Sequence, residues 1–463
     1  MQNGPSLELL FNPASILLVG ATNSSGKMGN VFARRLKEGF DGPLYAVNPN
    51  EREVFGIQSY PSVAAVPGSI DLMIALLPGP ALVDLMENCP PGKIRFLAAI
   101  PSGFSEVADG RILQKRLRLA AAACGVALIG PNIVGILNCE RGLNASMMPI
   151  LPPGGPGISG LTQSGGFGMA LAMYASDHGV LVAKFCDLGN TGGVSVERML
   201  SYYGEDPATR VVVLFLEAVG EPDAFVEILD KLARQKPVVL SAPGYSAVGR
   251  RASKAHLGLT SNMRRAVKQL PRGVVLAATA EYALDASKAL LWQRRAKGRR
   301  LGILTGTGGI GVELADLAAV RGLRIPELSA SLQTRLRAHL PRFAAVGNPI
   351  DATPIWWDYP KVYPALIRAL DESEEVDLLL VSITDVPTTL PDLADAIAGM
   401  SPQLSKPMCV FWGSRNQDLG PMHRLQNAHV PCYRTTAAAV NAAAALVQSG
   451  RASAANAGLL WHS

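Results

Sequence analysis

The chain has 463 residues, 48% hydrophobic and 17% charged, which is enough apolar material for roughly three domains and too much for a disordered chain. Its 43 Lys and Arg exceed its 37 Asp and Glu by 6, the bases are scattered and aromatics make up 6%, a balance that argues against a nucleic-acid binder. The six cysteines form no CxxC pair and no metal-ligand spacing, so no metal site is expected and a reducing cytoplasm fits. The opening residues lack the basic start, apolar stretch and cleavage site of a signal peptide. No apolar run reaches the roughly 18 residues that a membrane span needs, so a soluble cytoplasmic protein is expected.

Short aliphatic runs alternate with helical stretches along the whole chain, which predicts α/β domains with parallel sheets. The first unit reads as a strand over 15–20, a glycine-rich turn, a helix over 30–38 and a strand over 43–47. Further strands are predicted at 72–77, 96–100 and 127–129, and such an open sheet binds ligands at the carboxyl ends of its strands. The Pro- and Gly-rich stretch 149–157 reads as a linker.

An internal repeat follows. Thr162-Gln163-Ser164-Gly165-Gly166-Phe167-Gly168 matches Thr305-Gly306-Thr307-Gly308-Gly309-Ile310-Gly311, and each copy follows an apolar strand and opens a helix. Lys236-Pro237-Val238-Val239-Leu240 has its counterpart in Lys406-Pro407-Met408-Cys409-Val410, preceded by buried strands over 210–216 and 377–383. Two related α/β domains are therefore expected, joined by the basic segment around Arg294, Arg295, Lys297, Arg299 and Arg300.

Three places can carry chemistry. The turn Gly20-Ala21-Thr22-Asn23-Ser24-Ser25-Gly26-Lys27-Met28-Gly29 is neither GxxxxGK[ST] nor GxGxxG, and the second strand ends in Val47-Asn48-Pro49-Asn50 with no carboxylate for a ribose. It still offers N–H groups at a helix start, with Lys27 beside them, to a phosphorylated adenosine ligand other than NAD. The turn at Thr162–Gly168 offers a second helix N-terminus to an anion. The third place is His256, read as a loop residue after a strand end, where imidazole can attack a phosphoryl group if a carboxylate orients it. Glu217, at the end of the strand over 210–216, is the candidate for that role.

These residues together resemble the α subunit of NDP-forming acyl-CoA synthetases, the succinyl-CoA synthetase relatives, with the ADP-forming acetyl-CoA synthetase branch the nearer match. The resemblance rests on Gly20-Ala21, Gly26-Lys27-Met28-Gly29, Val47-Asn48-Pro49, Gly103-Phe104-Ser105-Glu106, Gly130-Pro131-Asn132, Gln163-Ser164-Gly165, Leu188-Gly189-Asn190, Leu216-Glu217, His256 and Asn348-Pro349-Ile350-Asp351 in this order. It implies a CoA-binding Rossmann domain over 1–148 and two flavodoxin-like, succinyl-CoA synthetase-type parallel-sheet domains over 157–291 and 298–450. By the same resemblance Ser25, Gly26, Lys27 and Met28 cradle CoA phosphate, Val47, Asn48 and Pro49 lie beside the nucleotide, and Pro131 and Asn132 lie near the thiol. His256 matches the phosphorylated histidine, Glu217 the residue that orients it, and Gln163, Ser164 and Gly165 the helix start that holds the phosphoryl group.

The implied reaction interconverts acyl-CoA, phosphate and ADP with a small carboxylic acid, CoA and ATP, through an acyl phosphate and a phosphohistidine. The last third of the chain repeats the domain before it, so ATP or ADP and Mg are expected on a separate ATP-grasp β subunit in a hetero-oligomer. The chain departs from the family pattern in having Ala255 and Leu257 around the histidine, Gly193 in place of an Asp, and Asn50 in place of a Lys. Those departures keep a second reading open, a CoA- or acyl-CoA-binding regulatory or assembly protein that has lost turnover.

Overall fold

The computed structural model describes residues 4–107, 109–244, 246–257, 262–384, 388–414 and 418–450, without the side chains of 254–257. The chain divides into two compact units, Met1–Lys236 with Leu240–Leu270 and Pro237–Val239 with Pro271–Ser463.

Runs of Ile, Leu and Val closed by glycine or polar turns form the strands of the first sheet. They are β1 (Ile16–Val19), β2 (Leu44–Val47), β3 (Glu53–Val54), β4 (Ile57–Tyr60), β5 (Ile70–Ala75), β6 (Ile94–Ala99) and β7 (Ala127–Ile129), in the order β3-β4-β2-β1-β5-β6-β7. All neighbours run parallel except β3 and β4. The chain steps from β1 to one side and then returns to fill the other, so its winding reverses at β1, where a ligand crevice opens. β1 is buried along its whole length, as an aliphatic run covered on both faces must be.

The second sheet uses β8 (Gly135–Asn138), β9 (Leu143–Ser146), β10 (Gly154–Thr162), β11 (Val182–Asp187), β12 (Thr209–Phe215) and β13 (Val238–Ser241). Within the first unit β12, β10, β11, β8 and β9 lie in that order, with β8 antiparallel to both neighbours. The β8–β9 hairpin falls inside the expected first domain, yet it extends this second sheet. Its short strands, broken by Asn138 and Asn144, carry little strand signal. The expected linker over 149–157 also differs, since β10 starts at Gly154, and its register shifts on either side of Ile158 mark an irregular strand start.

A buried ion pair ties this sheet to the helix Val196–Glu205 that follows it. Lys184 Nζ on β11 lies 2.9 Å from both carboxylate oxygens of Asp206, and both side chains are buried. Burial works to raise the Asp206 carboxyl, but hydrogen bonds from Thr209 and Lys184 outweigh it and hold the group below its usual range.

The second unit contains β14 (Val274–Ala277) and a parallel sheet of β15 (Leu301–Thr305), β16 (Ile350–Asp351), β17 (Leu378–Ile383), β18 (Met408–Trp412) and β19 (Cys432–Tyr433), in the order β16-β15-β17-β18-β19. Asn348 fixes the start of the Asn348–Asp351 motif by accepting from Ile303 N–H at 3.0 Å and donating to Leu301 C=O at 2.8 Å. The helices Ala280–Trp292 and Thr436–Gly450 pack on each other through small residues, and Lys288, buried between them and the sheet, donates to Cys432 C=O at 2.8 Å. Among the described residues no helix is long and apolar enough to cross a membrane. All six cysteines are buried and unpaired, and burial pushes the thiols of Cys89 and Cys139 up to about 11 and about 12.

Asp206→Asn is expected to destabilise the protein by about 3–5 kcal/mol, because it leaves the Lys184 ammonium buried without its counter-charge. Because the native carboxyl titrates below its unfolded value of ~4, its stabilisation is full above that pH and lost as pH falls through the native value. Urea midpoints measured from pH 7 to pH 3 check both points, and a variant with the wild-type midpoint and acid slope would remove this pair from the account.

Candidate active site

The turn between β1 and the helix Met28–Gly39 is shaped by a close backbone approach. A Cβ on Gly29 would sit 2.0 Å from Gly20 O, so only glycine lets the helix start this near the strand. Lys27 is the N-cap residue, and the helix begins two residues before the predicted position 30.

Beside this turn lies a cleft of about 790 Å³ at the carboxyl ends of β1 and β2, with Val19, Val47 and Leu77 marking the strand ends. Lys27, Asn48 and Pro49 also line it. Of the other residues expected at the phosphate, Ser25 and Gly26 are exposed in the turn, whereas Ser24 lines the cleft.

The sequence reading found no carboxylate at the end of the second strand, but the structure supplies one a residue later. Glu51 lines the cleft and accepts from the Thr22 hydroxyl at 2.8 Å, Asn23 N–H at 3.1 Å and the Asn48 amide at 3.2 Å. The Thr22 hydrogen bond, with those from Asn23 and the nearby Lys27 charge, keeps this carboxyl below its ordinary range despite some desolvation.

A second hollow, of about 390 Å³, is walled by Met28, Leu76, Ile100, Ile133, Val134 and Met147, with Asn132, Gln163, Gly165 and Asp187 as polar points. Lys27 and Leu77 line the cleft while their chain neighbours Met28 and Leu76 line the hollow, so the two cavities share one wall.

The floor of the hollow is the start of the helix Gly165–His178. The N–H groups of Gly165 and Gly166 in its first turn have no acceptor among the described residues, so they and the helix dipole are available to an anion. Ser164 N–H is spent on Thr162 Oγ1 at 2.8 Å. The Gln163 side chain is spent as well: it donates to Thr191 Oγ1 and Ala218 C=O, each at 2.9 Å, and accepts from Glu217 N–H at 2.8 Å and Ala218 N–H at 3.0 Å. Gln163 therefore fixes the backbone of Glu217, itself buried, and has no amide hydrogen left for a phosphoryl group.

On the opposite wall, Asn132 N–H donates to Pro101 C=O at 3.0 Å, and its side chain donates to Asn190 Oδ1 at 3.3 Å. Asn190 in turn donates to Glu106 Oε2 at 2.6 Å and Gln114 Oε1 at 3.1 Å. Burial raises the Glu106 carboxyl, but the bond from Asn190 and those from backbone N–H groups win and leave it lowered. Asp187 holds the loop on the other side, accepting from Val134 N–H at 2.8 Å and Gly189 N–H at 2.9 Å.

His256 was expected in a loop, but its backbone lies in the last turn of the helix Ala247–Leu257, where Arg250, Arg251, Ala252, Lys254 and Ala255 supply strong helix formers. Its side chain lies outside the described residues, as do residues 258–261. Gly193 is packed so that a Cβ would lie 2.2 Å from Leu128 O. An Asp cannot stand there without moving that strand end.

Three family models match this chain. A CoA binding domain matches residues 14–138, a succinyl-CoA ligase like flavodoxin domain 155–290, and a ligase-CoA domain 301–399. The chain is 31% identical over 403 residues to the acetate–CoA ligase [ADP-forming] II subunit alpha of Pyrococcus furiosus, an alignment that takes in 86% of this chain and 84% of that one. The chain belongs to the ADP-forming acetate–CoA ligase family. It is also 31% identical, over 97% of its own length, to acetate–CoA ligase [ADP-forming] I of Archaeoglobus fulgidus, and spans 64% of that longer protein. Among solved structures, the dinucleotide forming acetyl-coenzyme A synthetase 1 of Ca. Korarchaeum cryptofilum, in complex with phosphate and ADP, superposes with a TM-score of 0.86 at 28% identity, covering 95% of this chain and 96% of that one.

In this member of the ADP-forming acetate–CoA ligase family, sequence reasoning missed Glu51, Ser24, Asp187 and the link from Asn132 through Asn190 to Glu106. Glu51 stands one residue past Asn50, where the strand-end stretch Val47-Asn48-Pro49-Asn50 stops. The remaining contacts join segments far apart in the chain and carry no local signal. Gln163→Glu replaces the amide donor with an acceptor facing Ala218 C=O, and it is expected to cost about 1–3 kcal/mol. Hydrogen exchange at the Glu217 and Ala218 amides should quicken, and unchanged exchange with an unchanged urea midpoint would count against the clasp.

Proposed function

We propose that this chain is the α-type subunit of an ADP-forming acyl-CoA synthetase and that a separate ATP-grasp β subunit handles ADP, ATP and Mg. The observation that carries the reading is the shared wall of Lys27-Met28 and Leu76-Leu77, which lets one long ligand lay its nucleotide in the cleft and reach with its thiol into the hollow. The cleft suits CoA: it opens where the sheet's winding reverses, at a helix N-terminus with Lys27 beside it.

In the hollow, inorganic phosphate attacks the thioester carbonyl; the C–S bond breaks and CoA leaves with a proton, giving an acyl phosphate. The imidazole of His256 then attacks phosphorus, the bond to the acyl oxygen breaks, and the carboxylate departs. ADP bound on the partner takes the phosphoryl group from the imidazole to give ATP. The N–H groups of Gly165 and Gly166 hold the phosphoryl oxygens, and Glu217, its backbone fixed by Gln163, orients the imidazole. Asn132 steadies the thioester end. The histidine has to travel with its helix end between the two sites, a conformational step of the kind that sets many turnover rates.

The walls of Leu76, Ile100, Ile133 and Val134 give a hydrocarbon chain more to rest on than acetate can use. With the partner present, kcat/KM is expected to rise about tenfold or more from acetate to branched four- and five-carbon acids. A flat or falling series would place the acyl group elsewhere.

Radiolabelled phosphate supplied with acyl-CoA should label the wild-type chain in an acid-labile form and leave His256→Ala unlabelled, with turnover by the reconstituted enzyme down by about 10³-fold or more. Label at the wild-type level in His256→Ala overturns the assignment. Tight CoA binding with no label on the wild type, even beside its partner, favours the regulatory or assembly reading.

A further inference from the structure

The cleft carries an unusual charge balance for a ligand rich in phosphate. Among the described residues lining it, Lys27 is the one cation, set against the carboxylates of Glu51 and Asp84. Asp84 lies 3.5 Å from Arg116, which offsets its charge from outside the cleft. Among the described residues Glu51 has no basic partner within ion-pair distance. It is held by the neutral donors of Thr22, Asn23 and Asn48, and Lys27 acts on it only from beyond ion-pair distance, so a carboxylate remains at the rim.

The position of this carboxylate matters because of the sheet's geometry. In open sheets of this kind the residues just after the second strand lie beside the adenosine ribose, where an acid accepts from ribose hydroxyls and a cation accommodates a ribose phosphate. Here that stretch reads Asn48-Pro49-Asn50-Glu51, with no cation and one anion, and Asn48, Asn50 and Glu51 all line the cleft. Like charges brought together at a recognition site reduce affinity for the charged form of a ligand.

Resting on the reading of this cleft as the CoA site, we propose that Glu51 cancels the gain normally drawn from the 3′-phosphate, so that the cleft recognises the pyrophosphate and adenosine and binds CoA and 3′-dephospho-CoA alike. Lys27 and the helix start serve the pyrophosphate, which both ligands carry. Glu51 has a second, positioning role, clamping Thr22 and Asn23 of the glycine-rich turn, and that role affects both ligands equally.

Calorimetric titration of the full chain with CoA and with 3′-dephospho-CoA at physiological ionic strength separates these effects. The two dissociation constants are expected to agree within about threefold for the wild type. Glu51→Gln keeps a side-chain oxygen for Thr22 and Asn23 but removes the charge, and should tighten CoA about fivefold or more while moving 3′-dephospho-CoA less than about twofold. Asn50→Lys, which leaves the clamp untouched, should shift the ratio in the same direction. A wild-type preference for CoA of more than about threefold, or variants that move both ligands equally, overturns the proposal while leaving the CoA site in place. If neither ligand binds, the CoA reading fails and takes this inference with it.

Discussion

One buried amide, the side chain of Gln163, holds together the parts of the first unit that face the hollow. Its two hydrogens go to Thr191 and Ala218, and its oxygen receives two backbone N–H groups, from Glu217 and Ala218. A buried amide position left empty costs about 1–3 kcal/mol, more than the net worth of the hydrogen bond lost, so the four contacts support one another. They join the residue before the N-cap of the helix Gly165–His178, the loop after β11 and the end of β12. The helix start can face the hollow with free N–H groups only because Gln163 and Thr162 have already satisfied the donors and acceptors around it.

The internal repeat shows how much of this arrangement is turn and how much is clasp. Thr162 Oγ1 accepts from Ser164 N–H at 2.8 Å and donates to Ser164 C=O at 3.0 Å, and Thr305 makes the same pair of bonds with Thr307, each at 3.0 Å. The turn is therefore one piece of chemistry used twice. Where the first copy has Gln163, the second has Gly306, and a Cβ there would sit 2.0 Å from the Tyr359 hydroxyl. An aromatic side chain occupies the space, and Thr307 reaches Thr384 at 2.9 Å through hydroxyls alone. Fixing the next strand end by a backbone-reading amide is thus particular to the first copy.

Much of the architecture was legible because parallel strands are buried on both faces and so appear as uninterrupted aliphatic runs, as in Ile16–Val19, Ile70–Ala75 and Leu378–Ile383. The β8–β9 hairpin was not, since its short strands pair antiparallel and mix Asn with small residues. Lys27, Val47, Asn48 and Pro49 were legible at the cleft because a glycine-rich turn and a strand end are local features. Gln163 was found for its place at a helix start, but its side chain serves the Glu217 backbone, a contact across 54 residues of sequence that no local pattern encodes. His256 sits in a helix because Ala, Arg and Lys outweigh the expectation of a loop after a strand.

The hollow also explains why, on the proposed function, a moving histidine is needed at all. The described residues lining it include no Lys or Arg and one carboxylate, Asp187, whose oxygens are engaged by Val134 and Gly189 N–H groups. The helix N–H groups can orient phosphoryl oxygens, but they contribute only a partial charge, roughly half an elementary charge for a helix N-terminus. A phosphoryl group in transfer spreads charge over three oxygens, and positive charge close by is the usual answer. An imidazole arriving from the helix Ala247–Leu257 would bring the nucleophile and, once phosphorylated or protonated, the missing positive character in one side chain.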